Sequence, residues 1–198
     1  MHSKNLLTLL TSILVLGVPA VVLAAVSWTA YVSEENGGPW AYCGPSSQAA
    51  SGFQCSGSYC DNVRLRCETL PFGITVTGYN VSNAFSEEDD GLGTVTSEGW
   101  YRYDGDNYHV CNFSGAAGIL TGIRCQGSYC NNITLECATP TTSLGQPATL
   151  TSCEWTDYYS EEDGALSYPE GANRFVTGVR CHGSYCDDKS FYVCSLGT

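Results

Sequence analysis

Cys55-Ser56-Gly57-Ser58-Tyr59-Cys60-Asp61-Asn62-Val63-Arg64-Leu65-Arg66-Cys67 is the stretch on which the reading of this 198-residue chain turns. With the preceding Ser51-Gly52-Phe53-Gln54 it returns as Thr121-Gly122-Ile123-Arg124-Cys125-Gln126-Gly127-Ser128-Tyr129-Cys130-Asn131-Asn132. It returns again as Thr177-Gly178-Val179-Arg180-Cys181-His182-Gly183-Ser184-Tyr185-Cys186-Asp187-Asp188. Three occurrences of Cys-x-Gly-Ser-Tyr-Cys with matching flanks mark an internal repeat. Each runs on to a further cysteine, Cys67, Cys137 or Cys194.

The alternation Val63-Arg64-Leu65-Arg66 and Ile133-Thr134-Leu135-Glu136 has the period of two of a half-buried strand. Val63 and Leu65 are expected to face a core, and Arg64 and Arg66 water. The Gly-Ser-Tyr segment between two such runs supplies the glycine that a tight hairpin requires for positive φ. Upstream of each hairpin stands an acidic signature: Ser33-Glu34-Glu35-Asn36-Gly37, Ser86-Glu87-Glu88-Asp89-Asp90-Gly91 and Ser160-Glu161-Glu162-Asp163-Gly164. Three antiparallel β units follow, at about 26–70, 75–140 and 148–198. The middle unit carries extra residues around 94–108, and 138–148, with Pro140 and Pro147, reads as a linker.

Residues 1–24 combine Lys4, an apolar run from Leu6 to Leu23 and small residues before a cut after Ala24, the pattern of a secretory signal peptide. No later stretch is apolar enough to span a bilayer. All 12 cysteines lie beyond residue 24, and an even number in an exported chain points to a disulfide framework. Zinc fits poorly, because the close pairs are Cys-x4-Cys and not Cys-x2-Cys. The repeat then suggests a pairing. Cys55 to Cys60, Cys125 to Cys130 and Cys181 to Cys186 close each hairpin. Cys43 to Cys67, Cys111 to Cys137 and Cys153 to Cys194 close the units, each worth roughly 3 to 4 kcal/mol.

Loss of residues 1–24 removes Lys4 alone among the charged residues, so the formal charge of −12 becomes −13. That balance argues against nucleic acid and anionic membranes as partners. His109 and His182 are the histidines left after residue 24, and neither sits in a nucleophile motif such as Gly-x-Ser-x-Gly. Adjacent glutamates on an extended chain point to opposite sides and suit a two-carboxylate glycosidase badly. The expectation is a protein that is not an enzyme and needs no cofactor. Calcium is the one metal the acidic segments would suit, with Glu87, Glu88, Asp89 and Asp90 the densest cluster and Asp104-Gly105-Asp106-Asn107 the second.

The expected ligand is a glycan of an extracellular coat, wall or matrix. Tyr59, Tyr129 and Tyr185 offer ring faces to sugars, with Asp61, Asn62, Asn131, Asn132, Asp187 and Asp188 beside them for hydroxyls. Three equivalent weak sites would gain by avidity on a polymer. The alternative is a secreted structural protein or protease inhibitor acting through the middle insertion, which holds Trp100, Tyr101, Tyr103 and Tyr108. Asn80-Val81-Ser82, Asn112-Phe113-Ser114 and Asn132-Ile133-Thr134 fit the N-glycosylation pattern, which matters for a chain made in a eukaryote.

Asn36-Gly37-Gly38-Pro39-Trp40, Cys43, Gly52-Phe53 and Asp61 through Cys67 together resemble a repeat of the vitelline membrane outer layer protein I family. The resemblance implies three small Greek-key sheets packed as the walls of a β-prism about a pseudo-threefold axis. It implies one domain with one shared core, and an outer-layer protein of lectin-like shape. A β-trefoil is the alternative all-β form. Unit three departs from the pattern by lacking the Gly-Trp element and the middle cysteine.

Overall fold

A computed structural model describes residues 25–36, 38–86, 107–113, 116–163, 166–167 and 173–197. The expected signal peptide, the Glu87–Asp90 cluster, Asp104 to Asp106 and most of the middle insertion lie outside the described residues.

Where the sequence alternates, strands form. They are β1 (Val26–Trp28), β2 (Trp40–Tyr42), β3 (Gln48–Ser56), β4 (Asn62–Thr69), β5 (Ile74–Val81), β6 (Asn107–Val110), β7 (Asn112–Phe113), β8 (Ala116–Ala117), β9 (Ile119–Gln126), β10 (Asn132–Thr142), β11 (Leu150–Trp155), β12 (Leu166–Ser167), β13 (Arg174–His182) and β14 (Asp188–Leu196). The fold is all-β, with three four-stranded antiparallel sheets in the orders β1-β4-β3-β12, β2-β9-β10-β5 and β11-β14-β13-β6. Strands β7 and β8 pair separately.

Each sheet takes three strands from one unit and its fourth from another. Unit one lends β2 to unit two, pairing Trp40 with Arg124 and Tyr42 with Gly122. Unit two lends β6 to unit three, and unit three lends β12 to unit one. The exchange is therefore cyclic, and no unit completes its sheet alone. It also explains a glycine of the repeat. A Cβ on Gly122 would lie 2.7 Å from Cδ1 of the Tyr42 ring, and one on Gly178 would lie 2.7 Å from the His109 carbonyl oxygen. The lent strand packs where a side chain would otherwise stand.

Ser51, Thr121 and Thr177, just before these glycines, fall at matching register shifts in β3, β9 and β13. Their buried hydroxyls donate to the carbonyl oxygens of Arg66, Glu136 and Tyr192 across the bulge. A second hydroxyl recurs at Thr29, Ser82 and Thr156, accepting the amides of Leu65, Leu135 and Phe191 at 3.0, 2.9 and 3.0 Å. Such bonds satisfy backbone groups of core strands beyond the ladder.

Strands β3, β9 and β13 contact one another pairwise, and one buried cluster joins Phe53, Leu65, Ile123, Leu135, Val176 and Phe191 from all three sheets. The rings of Phe53 and Phe191 lie 4.7 Å apart. Val63 and Leu65 are buried as expected. Arg64 and Arg66 are half-buried instead of solvated. Arg64 lies between the rings of Trp28 and Tyr31 at 4.7 and 4.5 Å, and Arg66 meets Ser51 and Glu68 at 2.6 and 2.8 Å. Arg180 is held in the same way between Trp155 and Tyr158, at 4.7 and 4.5 Å. Residues 138–148 are not a linker. Strand β10 continues to Thr142 with Ala138 buried, and a turn follows, closed by Gly145 N–H and Thr142 N–H donating to Thr142 and Gln146 carbonyls.

All twelve cysteines pair as the repeat suggested, with Cα separations of 4.1 to 5.6 Å. The unit-closing bridges are of two kinds. Cys43 follows β2 and Cys111 follows β6, so Cys43–Cys67 and Cys111–Cys137 each tie two sheets together. Cys153–Cys194 stays inside one sheet, between β11 and β14. Register gives the reason. Ala50 faces Cys67 and Leu120 faces Cys137, but Val176 faces Val193, so valine fills the inner position in unit three. Cys194, one residue later, meets Cys153 at the shift between Thr151 and Glu154 of β11.

Candidate functional site

The three hairpin tips meet. In each, Gly57, Gly127 or Gly183 takes positive φ (82°, 74° and 73°) and opens a single 3-10 turn, Ser58–Cys60, Ser128–Cys130 or Ser184–Cys186. The glycine is required twice over. A Cβ on Gly57 would fall 1.9 Å from Oδ1 of Asp61, and one on Gly127 would fall 2.1 Å from Oδ1 of Asn131. The sequence anticipates this glycine but not the two residues after the serine. Tyr59, Tyr129 and Tyr185 have φ of 57°, 55° and 61°, and the cysteines that follow have φ of 56°, 61° and 58°. Left-handed backbone costs a non-glycine residue roughly 1–2 kcal/mol. It is held here by the local disulfide and by the contacts of the tyrosine.

Those contacts bring the three rings together. Tyr59 and Tyr129 have centroids 5.0 Å apart, Tyr129 and Tyr185 5.0 Å, and Tyr59 and Tyr185 5.5 Å, all tilted or edge-on. Such geometry is the favoured one for aromatic pairs. The rings form one patch and not three separate platforms. Their residues stay 41, 39 and 36 % exposed, so the patch is a surface.

Carboxylates lock the patch from neighbouring units. The Glu34 Oε1 accepts the Tyr129 amide at 3.0 Å, and the Glu161 Oε1 accepts the Tyr59 amide at 2.8 Å. Unit one thus holds unit two, and unit three holds unit one. Glu34 and Glu161 occupy equivalent places in the Ser-Glu-Glu signatures, within the 3-10 turns Glu34–Asn36 and Glu161–Asp163. The acidic pairs of units one and three therefore lie on turns and not on extended chain. Glu87 is their counterpart in sequence and lies outside the described residues.

The other sequence candidates divide by task. Asn62 and Asn132 donate to the side chains of Asp61 and Asn131 at 2.5 and 2.9 Å, so these four help to shape their own turns. Asp188 faces His182 at 3.5 Å, where the two are register partners at the ends of β13 and β14. Asp187 faces Glu161. Burial first, then the hydrogen bond and charge of Glu161, push the Asp187 carboxyl up to about 6, while hydrogen bonds from Asp187 and the backbone hold Glu161 below the usual carboxylate range despite its burial. Asp61 is raised too, by burial and by Glu34.

Lys189 lies beneath this acidic rim with no exposed surface, donating from Nζ to the Cys186 carbonyl oxygen at 2.5 Å. Its charge draws the Asp187 carboxyl partly back down. It stands where units one and two carry Val63 and Ile133, and repeat alignment alone could have singled it out. Cys60, Glu161 and Asp187 come close enough to suggest a metal site, but the Cys60 sulfur is bonded to Cys55, which leaves two carboxylates.

Between units one and two the patch opens into a depression of about 510 Å³ lined by Glu34, Glu35, Gly127, Ser128 and Tyr129. It brings together an aromatic residue, a serine and two glutamates, a set suited to a ligand with an apolar face bordered by hydroxyls. No family model, curated protein or solved structure matches this chain. Among the described residues no helix is long and apolar enough to cross a membrane.

Proposed function

We propose that this is a secreted protein without enzymatic activity that recognises extracellular glycans of a coat, wall or matrix through the tyrosine patch. The observation that carries the reading is the gathering of Tyr59, Tyr129 and Tyr185 into one exposed surface beside the depression lined by Glu34, Glu35 and Ser128. A pyranose laid on a ring face keeps its hydroxyls within reach of carboxylates at the rim, and aromatic side chains with polar neighbours are suited to such half-wet contacts. Binding of this kind needs no acid–base pair, and Glu34 and Glu161 are already engaged with backbone amides.

Export is supported by the six disulfides, which persist in oxidising compartments. The cyclic exchange of strands and the meeting of three hairpins favour a pseudo-threefold β-prism of the vitelline membrane outer layer protein I kind over a β-trefoil. Because the three tyrosines form one patch, a single composite site replaces the three independent sites that repetition alone suggests.

The test is binding of the intact protein to an array of neutral and acidic polysaccharides, alongside Glu35→Ala. Retention above background, weakened at least several-fold by Glu35→Ala, is expected. No binding to any member, or binding indifferent to Glu35, would contradict the reading.

A further inference from the structure

Of the glycosylation patterns in the sequence, two can be compared in full, and the fold separates them. Asn80 lies near the end of β5, an edge strand of its sheet, and its side chain is exposed. Its neighbours Tyr79 and Val81 are also exposed, at 51 and 52 %. A large substituent on the Asn80 amide meets open solvent. Ser82, which completes the pattern, uses its oxygen to accept the Leu135 amide at 2.9 Å, a bond that forms only when the chain folds. Before folding, that hydroxyl is free to take part in recognition of the pattern.

Asn132 is placed differently. Its side chain is half-buried, and its Nδ2 donates to Oδ1 of Asn131 at 2.9 Å. The same nitrogen lies so close to Gly127 that a single Cβ there would be 2.3 Å from it. A sugar on that nitrogen has no room inside the hairpin. A chain modified at Asn132 cannot close the Gly127 turn as the fold requires.

We propose that Asn80 is an N-glycosylation site of this protein and that Asn132 is left unmodified in the folded molecule. In the reaction the Asn80 Nδ2 forms a bond to the anomeric carbon of an oligosaccharide carried on a lipid diphosphate. The bond from sugar to diphosphate breaks, the lipid diphosphate leaves, and the amide gives up one proton. The proposal rests on the export reading, since the donor and its transferase work in the secretory pathway. A glycan at Asn80 covers the unpaired edge of β5, where an added strand would otherwise dock.

The test directs the full chain into the secretory pathway of a eukaryotic cell line behind a leader of known function, so that the result does not depend on residues 1–24. The folded, secreted protein is then mapped by peptide mass spectrometry before and after enzymatic removal of N-glycans, with Asn80→Gln in parallel. Asn80 is expected to be occupied in most molecules, Asn132 in none, and Asn80→Gln to be secreted with one glycan fewer. An unmodified Asn80, or a glycan on Asn132 of folded protein, overturns the proposal. Glycan-array binding tests the functional reading separately, because Asn80 lies outside the patch.

Discussion

Replacing Tyr129 by alanine removes one corner of the tyrosine triangle. Two ring contacts at 5.0 Å disappear, each worth about 1 kcal/mol beyond area. The ring is more than half covered, so its lost burial, about 100 Å² at 25 cal/mol per Å², brings the total to roughly 4–5 kcal/mol. Glycine at the same position loses the same contacts but escapes the left-handed penalty that alanine keeps at φ of 55°. After glycine's greater unfolded-state entropy is allowed for, Tyr129→Gly should exceed Tyr129→Ala in stability by about 1 kcal/mol. For a chain of this size 1 kcal/mol moves Tm by about 2–4 °C, so alanine should lower Tm by about 9–18 °C and glycine by a few degrees less. Thermal unfolding under non-reducing conditions, followed by near-UV circular dichroism, reads both. An alanine variant as stable as the parent would refute the triangle, and a glycine variant no better than alanine would refute the left-handed turn.

Glu161→Ala and Glu34→Ala each free a tyrosine amide from a carboxylate and should each cost about 1–2 kcal/mol, read as a lower urea midpoint, while Glu35→Ala, which caps no amide here, should move it little. The Asp187 carboxyl is raised to about 6 from an ordinary 3.8, so it binds its proton more tightly in the folded state. The stability it lends is therefore full below pH 4 and is lost as pH rises through 6. A shift of this size amounts to about 3 kcal/mol for a shielded group. Solvent at the rim reduces it to about 1 kcal/mol. Asp187→Asn, measured by denaturation between pH 4 and 7, should flatten that part of the stability curve.

Much of this fold was legible because repetition multiplies weak signals. Period-two alternation located the core at Val63, Leu65, Ile133 and Leu135, and equivalence among units gave five disulfides and left Cys153 as the partner of Cys194 where unit three breaks the pattern. The lending of β2, β6 and β12 was not legible, since a strand of two to four residues pairs through backbone that looks alike in every sequence. Its trace was there in Gly122 and Gly178, whose missing side chains make room for Tyr42 and the His109 backbone. At the site, the tyrosines were found but not their meeting, because distance between hairpins is set by tertiary packing. The caps by Glu34 and Glu161 were hidden for the same reason: donor and acceptor lie 95 and 102 residues apart.

The meeting of the three hairpins is tested most directly by nuclear Overhauser spectroscopy on protein whose tyrosine rings alone carry protons. Centroid separations of 5.0, 5.0 and 5.5 Å predict cross-peaks joining Tyr59, Tyr129 and Tyr185 in all three pairs. Three ring systems with no cross-peaks between them would contradict the closed arrangement of the units and the single composite site built on it.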